Sequence, residues 1–236
     1  MAEVEGSKDL ISVLWSGADI LRSKMDANEY KDYLLGIVFY KYLSDTFLIK
    51  VYDLIYDEKP KSLKVALDAY KEALEDESAE ELKEQIKSEC HYLIEPQLTY
   101  TCFADAARNN AFNRELLQKA FNNIEQSDPL FADLFTDIDL YSNRLGNGDQ
   151  KQSDTISSLV KEIDKADLLN SDAEILGNAY EYLIGQFASE TGKKAGEFYT
   201  PQAVSKILTK IAIAGQENKK GLSVYDPCTV SYTHLR

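Results

Sequence analysis

Residues 30–48, "YKDYLLGIVFYKYLSDTFL", constrain the architecture more than any other stretch of this chain. At helical spacing, Tyr30, Leu34, Ile37, Val38, Lys41 and Phe47 do not fall on one narrow stripe. The segment is apolar on most sides, and such a helix has to be surrounded by protein. It is read as the central, most buried helix. Asp26 opens it, with Glu29 three residues on in a capping-box pattern.

What surrounds it is also helical. Leu10, Leu14, Ala18 and Leu21 recur at helical spacing, with Ile11 and Trp15 beside them. Residues 57–90 are charge-rich and carry a second capping-box pattern at Ser78 and Glu81; their tyrosines are read as packing or surface residues. "NNAFNRELLQKAFNNIEQ" is a further amphipathic helix, and Asp128-Pro129 is the cap and first-turn proline of a short one. "NRLGNGDQKQSD" reads as a loop or sub-domain boundary.

A third capping box, Ser171 with Glu174, starts a helix carried by Ile175, Ala179, Tyr182, Leu183 and Phe187. "TGKKAG" breaks it and "EFYT" follows as a short extended piece. Thr200-Pro201 then opens a helix with Val204, Ile207, Leu208 and Ile211 as its expected buried stripe. After a polar turn from Gly215 to Gly221, Leu222, Val224 and Tyr225 read as a strand stopped by Asp226-Pro227. The expected fold is therefore mainly α: a helical bundle over 1–165, then the entry to an α/β domain over 166–228.

Composition excludes several classes. With 44% apolar and 28% charged residues the chain is globular. It has no apolar run of the roughly 20 residues that a membrane span needs. The start, "MAEVEGSKDL", has neither a basic region nor an apolar core of a leader, so a cytoplasmic location is expected. A net charge of -14 argues against a free-standing nucleic-acid binder, though not against a subunit that meets DNA on one face. Three cysteines and two histidines have no zinc-ligand spacing, and no metal is expected. Asp133, Asp137 and Asp139 lack the glycine and terminal glutamate of a calcium loop and read as a solvated acidic face. Cys90 and His91 are adjacent, point in different directions on a helix, and read as ordinary helix residues.

"GKKAGEFYTPQAVSKIL" is the stretch that carries chemistry. It sets a glycine-bearing loop before a helix N-terminus, whose backbone N–H groups can receive a carboxylate or other anion. Phe198 and Tyr199 offer faces to an adenine ring or a sulfonium centre, and Glu197 can pair with an ammonium or a ribose hydroxyl. The alternative is a capped helix whose aromatics fill the core. Lys193 and Lys194 either touch DNA phosphate or keep the loop soluble.

Two long blocks resemble the methyltransferase subunit, HsdM, of type I restriction-modification systems. They are "LWSGADILRSKMDANEYKDYLLGIVFYKYLSD" and "GNAYEYLIGQFASETGKKAGEFYTPQAVSKIL", in the expected order, and the resemblance runs from about Leu10 to Cys228. It implies transfer of a methyl group from S-adenosylmethionine to the exocyclic amine of adenine in double-stranded DNA. It also implies partners: a specificity subunit, a second methyltransferase subunit and a restriction subunit. By position, Glu197, Phe198, Tyr199, Thr200, Pro201, Gln202 and Asp226 become the cofactor-site residues.

"VYDPC" is similar to the first strand of the family's Rossmann-like methyltransferase domain. A glycine-rich loop should follow, because a Cβ there would collide with the cofactor. Thr229, Val230 and Ser231 do not match it. The Asn-Pro-Pro-aromatic motif that holds the flipped adenine is not in these 236 residues, so no catalytic residue is assigned. Residues 229–236 read as a truncation or an unrelated terminal sequence, and the chain alone is expected to be inactive. The alternative function is a helical assembly module that docks on the specificity subunit without catalysis. Pro227-Cys228 resembles the nucleophile of cytosine-C5 methyltransferases, but it stands at the end of the first cofactor strand, too early for that role.

Overall fold

The computed structural model describes residues 2–167, 177, 202–216, 219–221, 223 and 225. They fall into two compact units, Met1–Tyr180 and Glu181–Arg236.

The first unit is helical. α1 (Ala2–Arg22) and α2 (Ala27–Tyr56) are followed by α3 (Leu63–Ala73) and α4 (Ala79–Cys90). A 3-10 turn at Pro96–Leu98 leads to α5 (Tyr100–Arg108) and α6 (Arg114–Glu125). A second 3-10 turn, Pro129–Phe131, precedes α7 (Asp149–Ile163).

α2 is the axle. It packs against α1, α3, α4, α5 and α7, as its broad apolar surface requires. Tyr30, Leu34, Ile37, Val38 and Phe47 are all buried, and so is Lys41. Two aromatic clusters hang on it, seven residues and so about two turns apart. Tyr40 meets Phe121 edge-on at 5.5 Å and Phe135 at 6.1 Å, and Phe121 stacks on Phe135 at 4.2 Å. Phe47 meets Tyr70 at 5.5 Å and Tyr92 at 5.9 Å. Each such pair adds about 0.5–1.5 kcal/mol to the burial of its rings.

α1 closes over α2 and α7 through Leu10, Leu14, Ala18 and Leu21, the expected stripe. Gly17 marks the crossing. A Cβ there would come within 2.8 Å of Leu34 Cδ2 and 3.1 Å of Leu159 Cδ1. The helices approach closely because this position has no side chain.

Buried tyrosines bind the connections to the helices. The hydroxyls of Tyr40, Tyr70, Tyr92 and Tyr100 donate to the carbonyls of Leu98, Ile94, Leu43 and Val160 at 2.7–3.0 Å. Tyr33 donates to the Asp139 carbonyl at 2.7 Å. A buried phenol needs such an acceptor, and two of these carbonyls, those of Ile94 and Asp139, lie outside any helix and need a donor.

Arg114, the first residue of α6, is 8% exposed. Its guanidinium donates to the Leu140 carbonyl at 3.3 Å, to Gln152 Oε1, and to Asp149 Oδ1 at 3.1 Å. The Tyr141 ring lies 4.1 Å from it. One side chain thus holds the 129–148 connection and the start of α7 onto α6. No sequence signal singled it out.

Local expectations fare unevenly. Asp26 and Glu29 form their capping box, and Asp128 caps Leu130 N–H at 2.9 Å ahead of Pro129. Ser78 and Glu81 do not form theirs. The Ser78 hydroxyl and N–H both donate to Asp76 Oδ1 at 3.0 Å, which removes the oxygen from the helix N-terminus. "NRLGNGDQKQSD" is half loop and half helix, since α7 begins at Asp149 behind Gly148, whose φ is +90°. Nor is it a boundary, for Leu145 is fully buried and its carbonyl accepts from Lys24 Nζ at 3.1 Å. His91 is a helix cap with φ +65°, not an ordinary helix residue.

In the second unit, α8 (Gln202–Ala212) ends at a turn where Gly215 adopts φ +75°. Among the described residues there is no strand. Ser223 and Tyr225 of the expected 222–225 strand are in neither helix nor strand, and Tyr225 is exposed. A strand is defined by a ladder with a neighbour, and no described residue offers one.

Candidate functional site

The site expected from the sequence straddles the start of α8. Glu197, Phe198, Tyr199, Thr200, Pro201 and Asp226 lie outside the described residues, as do Lys193, Lys194 and the Ser171–Glu174 box. Gln202 is the first described residue of α8, and the predicted cap, Thr200 with Pro201, lies outside the described residues.

The first described turn of α8 carries no acidic side chain. Lys206 and Lys210 follow one turn apart on the helix, both exposed. The expected buried stripe of α8 is not buried. Val204, Ile207, Leu208 and Ile211 are 46–67% exposed. The spacing identified an amphipathic helix correctly, but spacing does not say whether anything covers the apolar face.

Rival chemical readings find no geometry. Among the described residues no group of three His, Cys, Asp or Glu side chains can hold a metal ion. Asp139 is spent on the backbone, accepting from Tyr141 N–H at 2.9 Å. Burial pushes the Cys90 thiol up, away from the thiolate a nucleophile needs. No helix among the described residues is long and apolar enough to cross a membrane.

Comparison with known proteins decides the family. The HsdM N-terminal domain model matches residues 10–163, most of the chain. The chain belongs to the HsdM family. Behind that domain, residues 171–235 match the N-6 DNA methylase model. Among curated HsdM-type relatives, the type I restriction enzyme MpnII methylase subunit of Mycoplasma pneumoniae is 29% identical over 228 residues. That alignment takes in 90% of this chain and 40% of the relative. The MjaIX methylase subunit of Methanocaldococcus jannaschii is 27% identical, over 91% of this chain and 36% of its own. The crystal structure of the type I restriction-modification methyltransferase subunit from Streptococcus thermophilus superposes with a TM-score of 0.82. It shares 49% identity and covers 92% of this chain and 46% of that one. The chain thus spans less than half the length of the HsdM relatives it matches.

The expected order, a helical HsdM domain and then the beginning of a methyltransferase domain, agrees with the two matches.

Proposed function

We propose that this chain is the N-terminal part of the modification subunit of a type I restriction-modification system, a DNA methyltransferase acting on adenine N6. The observation that carries the reading is the pair of matches in order, HsdM N-terminal domain then N-6 DNA methylase, on one chain. The specificity subunit would choose the DNA site. A second methyltransferase subunit, the restriction subunit and double-stranded DNA would complete the assembly.

The residues available fit S-adenosylmethionine by their chemistry. Glu197 would accept from the cofactor's ammonium or a ribose hydroxyl, and Phe198 and Tyr199 would lie against its adenine or sulfonium. Thr200, Pro201 and Gln202 would set the helix N-terminus toward its carboxylate. Asp226 would close the strand beside it. Bound, the cofactor would supply the methyl group.

The 236 residues contain neither the glycine-rich loop nor the target-base motif, so this chain by itself transfers no methyl group. Incubating the purified chain with labelled S-adenosylmethionine and unmethylated DNA checks this; incorporation above background would refute it. A thermal-shift series with S-adenosylmethionine separates a partial cofactor site from none, since a ligand of the folded state must raise Tm with concentration.

A second reading has its own support. The described packed core lies in the HsdM N-terminal domain, which supports reading the chain as a helical assembly module that docks on the specificity subunit. That reading predicts a shift in Tm with the specificity subunit and none with S-adenosylmethionine.

A further inference from the structure

A cation and a carboxylate are buried together in the middle of α2, and the carboxylate is only half used. Lys41 and Asp45 lie one helical turn apart, 3% and 1% exposed. Lys41 Nζ donates to Asp45 Oδ2 and lies 5.3 Å from the centre of the Tyr100 ring. Asp45 Oδ1 is buried with no hydrogen-bond partner. An ionised carboxylate in that position lacks half the donors it needs.

The groups facing this pair come from three elements. On α2 itself there is Lys41. From α5 comes Tyr100, whose hydroxyl already donates to the Val160 carbonyl of α7 at 2.9 Å, so it cannot serve Asp45. Its N–H is taken by Ser44 Oγ at 2.8 Å. From the segment that follows α7, Asp164 and Asp167 add like charge. Arg108 of α5 is paired with Asp164 and with Asp105. Asp45 therefore has one attracting neighbour, two repelling ones and an unserved oxygen.

We propose that Asp45 is a proton-operated latch: when its half-served carboxyl takes up a proton the pair with Lys41 loosens, and the change reaches α7 through the Tyr100 ring beside Lys41 and the Tyr100–Val160 hydrogen bond. The elements it acts on are α2, α5 and the end of α7, the last helix before the region matching the methylase domain. Burial pushes its carboxyl up to about 6, with Lys41 pulling the other way and the two aspartates adding to the rise. A folded pKa above the unfolded one favours the protonated folded state. The stabilisation is full below the unfolded pKa and is lost as pH rises through about 6.

The test uses the full 236-residue chain. Carboxyl carbon NMR between pH 4 and 8 is expected to show Asp45 titrating near 6, with the amides of Val160 to Asp164 moving at the same midpoint. A midpoint at the ordinary aspartate value, or α7 amides that do not follow, would overturn the proposal. Between pH 5 and pH 7.5 the wild-type chain should lose roughly 3–5 °C of Tm relative to Asp45→Asn; parallel melting curves for the two would count against the latch. Lys41→Met removes the one attracting charge and should raise the midpoint further, and an unchanged midpoint would contradict the assignment. If Asp45→Asn does not fold, the wild-type carboxyl titration decides the matter.

Discussion

Gly17 shows how one residue sets a distance between helices. A glycine inside a helix gives up about 1 kcal/mol of propensity relative to alanine. Here that loss is offset by the approach of α1 to Leu34 of α2 and Leu159 of α7. Adding a methyl group would regain the propensity and lose more by overpacking, which typically costs about 1–3 kcal/mol. Gly17→Ala is therefore expected to destabilise the chain by about 1 kcal/mol net, read from urea unfolding at unchanged slope. A stabilised variant would mean that the crossing relaxes freely. The stripe beside it was legible in the sequence, but the neighbours of Gly17 were not, because they come from distant parts of the chain.

At the scale of elements, Arg114 has an unusual place. A cation in the first turn of α6 opposes the helix dipole. What holds it there is tertiary: two α7 side chains, one loop carbonyl and the Tyr141 ring share one guanidinium. Lysine keeps the charge but has neither the fork nor the flat face. Arg114→Lys should cost about 2 kcal/mol and free the 129–148 connection first. Hydrogen exchange would show this as faster exchange at Ile138, Leu140 and Leu145 than at α2 amides, and a uniform change would refute it. The apolar face of α8 makes the opposite point. Its period is as clear as that of α1, yet one face is buried and the other exposed.

For the whole molecule, the core is drawn from distant parts of one helical domain. Leu10 of α1 and Ile163 of α7 are both buried, and α1 and α7 pack together, so the first and last described helices of this unit share one core. The HsdM N-terminal domain match, residues 10–163, covers that core. A chain ended after Asp167 is expected to keep helices α1 to α7 and a Tm within about 3 °C of the full chain, measured by circular dichroism. A large fall would show that later residues complete the core.

The central helix, the α1 stripe, the Asp26 box and the Asp128-Pro129 cap were readable because each depends on residues within about one or two turns of one another. So was the block "GEFYTPQ", whose order of residue types carries the family resemblance. The failures share a cause. Ser78 had a nearer carboxylate to bind, "NRLGNGDQKQSD" was drawn into the core through Leu145, and α8 kept its apolar face in the open. The sequence by itself determined the helices and the family. Tertiary structure alone decided which groups meet: Gly17 with Leu159, Arg114 with Asp149, and Lys41 with the Tyr100 ring. The reason is physical, because periodicity and capping are local along the chain, whereas burial and charge depend on neighbours that only the folded chain brings together.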